Sequence, residues 1–287
     1  MSFLLRQLRI GRSSAFRSTR TLKSRPMPSN FFSLGLGQVH HLPLSHLERR
    51  LYSSGLPGKS NYEMNQKIIY GLLGLNGAIF LYGNYLKIQL QQAFKQDSFG
   101  PRRAAAEAYQ KFATNFSCSL ASVKAGKWWT MITSTVTHVE PFHLLGNLVS
   151  FYFLAEMLAM TPFISPGMLG TIIVGSAVTG SVGYLVQRQQ RVKAQGGGID
   201  NRSCMGFSGA VMGVGTVAAL LFPKSQVQIW GIIPVPLWLL MTGYFLYDGY
   251  YLNSQDSRTG HAGHLGGLAF GAAYYFAKIR GLRYGGF

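Results

Sequence analysis

Six apolar windows of about 19 residues each constrain this chain most, because a helix of that length crosses a hydrocarbon core of roughly 30 Å. They run Ile68–Leu86, His143–Thr161, Pro166–Val186, Cys204–Phe222, Ile229–Tyr247 and His261–Ile279. In lipid a backbone can satisfy its own polar groups only as a helix or a closed barrel, and no strand-like alternation is visible. The expected fold is therefore all-α, a polytopic membrane protein with a core of six transmembrane helices. Composition agrees, since only 13% of residues are charged against roughly 25% in soluble domains. Pro234 and Pro236 in "IIPVPLW" are expected to kink or break the fifth helix. "QGGGID" before the fourth window reads as a flexible loop.

The net charge of +18 is not a nucleic-acid surface, because it is split between two unlike regions. Residues 1–52 hold nine Arg or Lys against one acid, Glu48, with Leu4, Leu5 and Leu8 at helical spacing between arginines. An amphipathic, Arg-rich, acid-poor start is the pattern of an organelle transit peptide, and it lacks the apolar centre of a secretory signal. "RRLYSS" is similar to mitochondrial presequence cleavage sites. The expected organisation is a mitochondrial transit peptide over 1–52, a linker over 53–67, a six-helix membrane domain over 68–280 and a short tail over 281–287. The two cysteines, Cys118 and Cys204, make no disulfide framework and read as free thiols packed as small apolar groups.

Even-numbered windows all begin on one face of the membrane, and the polar residues of this greasy chain gather there. The second begins at "HLLGN", the fourth at "CMGFSG" and the sixth at "HAGHLGG". Intramembrane polar groups are costly and therefore candidates for function. His143 and Asn147 are four apart, on one helix face. Ser208 needs a base to become a nucleophile, and His264 is of the right type at the matching depth. His143, the Asn147 amide and the Ser208 backbone N–H suit the oxyanion that would follow. Gly209 and Gly213, with Gly263, Gly267 and Gly271, recur every four residues and let two membrane helices approach closely.

These residues resemble the rhomboid intramembrane serine proteases, and the N-terminal segment points to the mitochondrial branch. "HLLGN" resembles the family's H-x-x-x-N, "GFSG" its G-x-S-G and "GHLGG" its H-x-x-G-type motif, each in the matching span. The resemblance implies a Ser–His dyad without an acid: Ser208 the nucleophile, His264 the general base, Asn147 and His143 lining the oxyanion hole. It implies no cofactor and no metal. Its substrates are then single-span membrane proteins, cut in or near their transmembrane segments, and its partners those proteins and the bilayer rather than nucleic acid. Two positions depart from the family: Thr130 follows Trp129 where bacterial members often carry Arg, and Met212 stands where Tyr often supports the histidine.

Other readings of single residues remain beside this one. His261, three before His264, could replace it as base, pair with it on a metal, for which no third ligand is at hand, or sit at the surface or behind it. "HVEPFH" suggests zinc superficially, but His138 and His143 are five apart with Pro141 between them, unlike H-E-x-x-H. Asp248 reads as the cap or end of the fifth helix, and Glu156 as a buried acid without an evident partner. The competing function is a catalytically inactive rhomboid-like scaffold that binds transmembrane clients. A count of basic residues would turn the reactive face to the matrix. The resemblance and an imported N-terminus favour the mitochondrial inner membrane with that face toward the intermembrane space.

Overall fold

The computed structural model describes residues 57–95, 99–229, 232–254 and 259–284. The expected transit peptide over 1–52 lies outside these. Helix α1 (Pro57–Lys95) starts well before Ile68 and continues past Leu86, so residues 57–67 form its first turns. Helix α2 (Phe99–Phe116) folds back on it. Phe112 of α2 packs against Gly83, where a Cβ would stand 2.9 Å from the ring atom Cε1. Two short helices follow, α3 (Leu120–Lys124) and α4 (Thr130–Thr133), preceded by a two-residue strand β1 (Cys118–Ser119).

Helix α5 (Pro141–Ala159) has proline at its first position, where the missing N–H costs nothing. Helix α6 (Pro166–Ala194) starts the same way, and the Ser165 hydroxyl accepts from the Met168 N–H at 3.3 Å. A loop then leads through strand β2 (Ser203–Cys204) into α7 (Ser208–Leu221). Strands β3 (Gln226–Ile229) and β4 (Ile233–Pro236) precede α8 (Leu237–Tyr250). Helix α9 (His261–Tyr274) passes through a π-helical turn (Tyr275–Ile279) into α10 (Arg280–Tyr284).

Eleven of the 14 residues of α7 are buried, which is the condition of a helix apolar all round. Helices α5, α6, α8 and α9 surround it. The core gathers Phe151, Leu158, Leu169, Ile172, Phe207, Val214, Val217 and Leu237. Outward faces remain apolar too: Leu81, Val174, Trp238, Phe245 and Leu246 are all exposed. Among the described residues two helices, α5 and α6, are long and apolar enough alone to cross a membrane. At 14 residues, α7 and α8 each rise about 21 Å, short of the full hydrocarbon width, whereas α9 continues helically through the π-turn into α10.

Three expectations change. The fifth helix does not begin at Ile229: Pro234 and Pro236 break the expected span rather than kink it, and the helix starts at Leu237. Its expected first turns form the β3–β4 hairpin, with Gln228 opposite Pro234 and Gln226 opposite Pro236. Two prolines two apart point their missing N–H the same way, so the outer edge of a hairpin takes both, and a helix interior would take neither. Glu156, half-buried, has partners from α1: the Tyr62 hydroxyl donates at 2.9 Å, and the Gln66 amide also donates. The fourth helix starts at Ser208 rather than Cys204, so Ser208 heads it instead of lying a turn inside.

Helices α7 and α9 meet backbone to backbone. A Cβ on Gly267 would overlap the Gly209 carbonyl, and one on Gly271 would overlap that of Gly213. Helix α6 joins the same seam: a Cβ on Gly180 would stand 2.8 Å from the Gly263 carbonyl oxygen. Gly281, in contrast, has open space around it. Gly267→Ala should therefore cost about 1–3 kcal/mol of overpacking, and Gly281→Ala almost nothing. Thermal unfolding in detergent checks this, with a lowered midpoint expected for the first variant alone.

Candidate active site

The seam sets Ser208 and His264 face to face. His264 Nε2 is 2.8 Å from Ser208 Oγ, although they lie 56 positions apart in sequence. Ser208 is the first residue of α7 and His264 the fourth of α9. Gly209, next to the serine, lies against Gly180 of α6 and the Gly263 carbonyl of α9, so three helices converge there. Behind His264 stands Asp248, 1% exposed, from the last turn of α8. His264 Nδ1 is 3.1 Å from each of its carboxylate oxygens, and His261 Nδ1 is 2.6 Å from Oδ1.

This carboxylate assigns the tautomers. An ionised Asp248 only accepts, so both histidines donate through Nδ1–H, and His264 Nε2 keeps a lone pair for the serine proton. A protonated His264 would face a fixed negative charge there. Asp248 therefore neither caps nor ends its helix; its side chain turns sideways to α9. His261 is 3% exposed and stacks on Tyr251 at 5.9 Å, so it is neither a surface residue nor placed as the base. It shares the carboxylate and keeps Asp248 hydrogen-bonded on its second side.

The approach to Ser208 is equally constrained. Gly206 has φ +134°, which disfavours any side chain, and a Cβ there would stand 2.8 Å from His143 Cε1. Its N–H donates to the Ser134 carbonyl at 2.9 Å. Helix geometry leaves the first N–H groups of α7 without intrahelical acceptors, and they form the positive end of its dipole beside Ser208.

The family profile described as the Rhomboid domain matches residues 125–281, more than half of the chain. The chain belongs to the rhomboid family. It is also 28% identical over 245 residues to RHOMBOID-like protein 12, mitochondrial, of Arabidopsis thaliana, covering 82% of this chain. The chain spans 64% of the length of that relative. The matched rhomboid region runs from just before α4 to the start of α10, and so includes Asn147, Ser208, Asp248 and His264.

Within the rhomboid region, Asn147 is 2% exposed and both of its amide N–H groups are engaged. They donate to His138 Nε2 at 3.1 Å and to the His143 carbonyl at 3.0 Å. His138 Nε2 also accepts the Phe207 N–H at 3.2 Å, one residue before the serine. His143 is half-buried, and its ring packs edge-on to that of His138 at 5.1 Å. Asn147 thus reaches the head of α7 through His138, a residue that sequence reasoning weighed only as a metal ligand and set aside. Asp248, read from the sequence as a helix cap or end, instead holds two histidines. Neither carried a periodic signal, because each acts on a helix distant in sequence. Met212 is 2% exposed and belongs to the core. Trp129 is half exposed, and its indole N–H donates to Asn115 Oδ1 at 3.2 Å.

Burial, with the nearby His143, pushes the pKa of His138 down to about 3, so its Nε2 stays an acceptor at neutral pH. In the unfolded chain a histidine titrates near 6.5. Its stabilising contribution is therefore complete above about pH 6.5 and declines as pH falls toward 3, by at most about 1.4 kcal/mol per pH unit. His138→Gln keeps an acceptor but cannot titrate. Melting midpoints between pH 6.5 and 5 should fall less steeply in this variant than in the wild type.

Proposed function

We propose that this rhomboid protein is an intramembrane serine endopeptidase of the mitochondrial inner membrane. The observation that carries the reading is the 2.8 Å contact of Ser208 Oγ with His264 Nε2, with Asp248 behind the histidine. Ser208 attacks the carbonyl carbon of the scissile peptide while His264 takes its proton. The tetrahedral oxyanion draws on the Ser208 N–H, the N-terminus of α7, Asn147 and His143. For Asn147 this requires exchanging one of its present hydrogen bonds for the oxyanion. His264 then protonates the leaving amine, and water, activated by the same histidine, hydrolyses the acyl-enzyme. Asp248 holds the ring orientation and stabilises its charged form.

The substrates in this reading are single-span membrane proteins, cleaved in or near their transmembrane segments at the intermembrane-space face. The family, the two long apolar helices and the exposed apolar side chains support a six-helix membrane domain in lipid. The basic, acid-poor segment over 1–52 and the mitochondrial name of the plant relative support the organelle.

Fluorophosphonate labelling of the purified full chain in detergent tests the nucleophile. Wild type should label and Ser208→Ala should not; equal labelling defeats the protease reading, and no labelling of either favours the inactive scaffold. Asp248→Asn should slow labelling roughly 10- to 10,000-fold, because an amide N–H facing His264 Nδ1 favours the tautomer with a protonated Nε2, which cannot take the serine proton. Asn147→Ala should lower turnover of a transmembrane substrate by roughly 10- to 1,000-fold, as expected for loss of one oxyanion donor. An unchanged rate would leave Asn147 a packing and hydrogen-bonding role alone.

A further inference from the structure

The two cysteines, separated by 85 residues of sequence, lie directly opposite one another in the antiparallel β1–β2 pair. Both are free thiols, Cys118 fully buried and Cys204 half-buried. Directly opposed residues in such a pair have Cα atoms about 4.5–5.5 Å apart. A disulfide requires about 4.4–6.8 Å, so the backbone is already positioned to accept one. Tyr184 and Leu185 of α6 with Leu120, Val123 and Met131 of the first-loop segment enclose the pair. The Cys204 side chain, against the effect of burial, holds the Cys118 thiol below its ordinary range, with help from the Thr130 hydroxyl. Strand β2 leads within four residues to Ser208, and β1 opens the segment carrying α3 and α4.

We propose that Cys118 and Cys204 are a modification site: a dithiol that a small-molecule disulfide of the glutathione class oxidises to a reversible cross-strand bridge. Cys204, the more exposed of the two thiols, meets the small disulfide first. It gives its proton to water as its sulfur attacks one sulfur of the small disulfide and expels the other as a thiolate. Cys118 then attacks the Cys204 sulfur of the mixed disulfide and expels the second small thiolate. Two protein S–H bonds are replaced by one S–S bond, and the small disulfide leaves as two thiols, having taken up both electrons. The bridge staples the first-loop segment to the strand that delivers Ser208. It closes the chain over 118–204, and a loop of that length gives a disulfide its larger stabilising effect. None of this depends on Ser208 acting as a nucleophile.

The test uses the full chain in detergent, equilibrated with oxidised and reduced glutathione at graded ratios, then quenched with acid, denatured and alkylated with a maleimide of high mass. Both thiols should disappear together over one range of ratios, in a monomeric band that reductant restores. Peptide mapping should recover the Cys118–Cys204 link. Cys118→Ser should instead trap glutathione on Cys204, and the oxidised wild type should melt a few degrees above the reduced protein. Independent loss of the thiols, a persistent wild-type glutathione adduct, or a link between two chains would overturn the proposal. So would an oxidised protein that melts no higher than the reduced one. Fluorophosphonate labelling of the same samples is read separately. Its absence in both redox states would count against the protease reading and leave the thiol result standing.

Discussion

Everything at the site depends on how closely α7 and α9 approach. Side chains on both helices would hold their axes about 8–10 Å apart, and a serine and a histidine near their heads would then meet only by chance of rotamer. Here carbonyls of α7 lie against α-carbons of α9 at Gly267 and Gly271, with no room for a methyl group. The resulting Ser208–His264 contact joins two elements that are themselves almost featureless apolar helices. Helix α6 contributes its own small residues, Ser176 and Gly180, so the close packing has three members rather than two. A rigid seam of backbone gives the site its precision without relying on long side chains.

The second constraint is electrostatic. A carboxylate 1% exposed is expensive unless its oxygens are hydrogen-bonded, and Asp248 meets that requirement with two histidine N–H groups. One histidine faces the serine, while the other is held among Tyr247 and Tyr251. His261 therefore keeps the acid satisfied while the far nitrogen of His264 faces Ser208. The spacing of three along α9 allows one aspartate to serve both rings. A parallel arrangement orders the other side of the serine, where His138 collects the Phe207 N–H and the Asn147 amide on a single nitrogen. The two sides differ in kind: one holds a charge in the interior, the other holds neutral dipoles.

Several features were legible because they are local. The polar residues at the heads of three apolar windows stand out against their surroundings, and helical spacing puts His143 with Asn147 and aligns the glycines. That Gly209 and Gly213 face Gly267 and Gly271 follows from one period shared by two helices. The β3–β4 hairpin was not legible, since "IIPVPLW" is apolar enough to extend a helix and only the strand pairing reveals where its prolines point. The partners of Glu156 were hidden for another reason: Tyr62 and Gln66 lie some 90 residues away, in turns of α1 that precede its apolar window.

The sequence by itself determined the apolar helices, the small-residue periods and the family motifs, because each is written in residues a turn or two apart. Only the tertiary structure decided which distant side chains would complete the site. Asp248 comes from α8, His138 from the turn before α5, and Cys204 finds Cys118 across two short strands. None of these pairings has a period or a spacing to announce it. Each is set by the angle and separation at which already formed helices pack, and that geometry is a property of the whole assembly rather than of any segment within it.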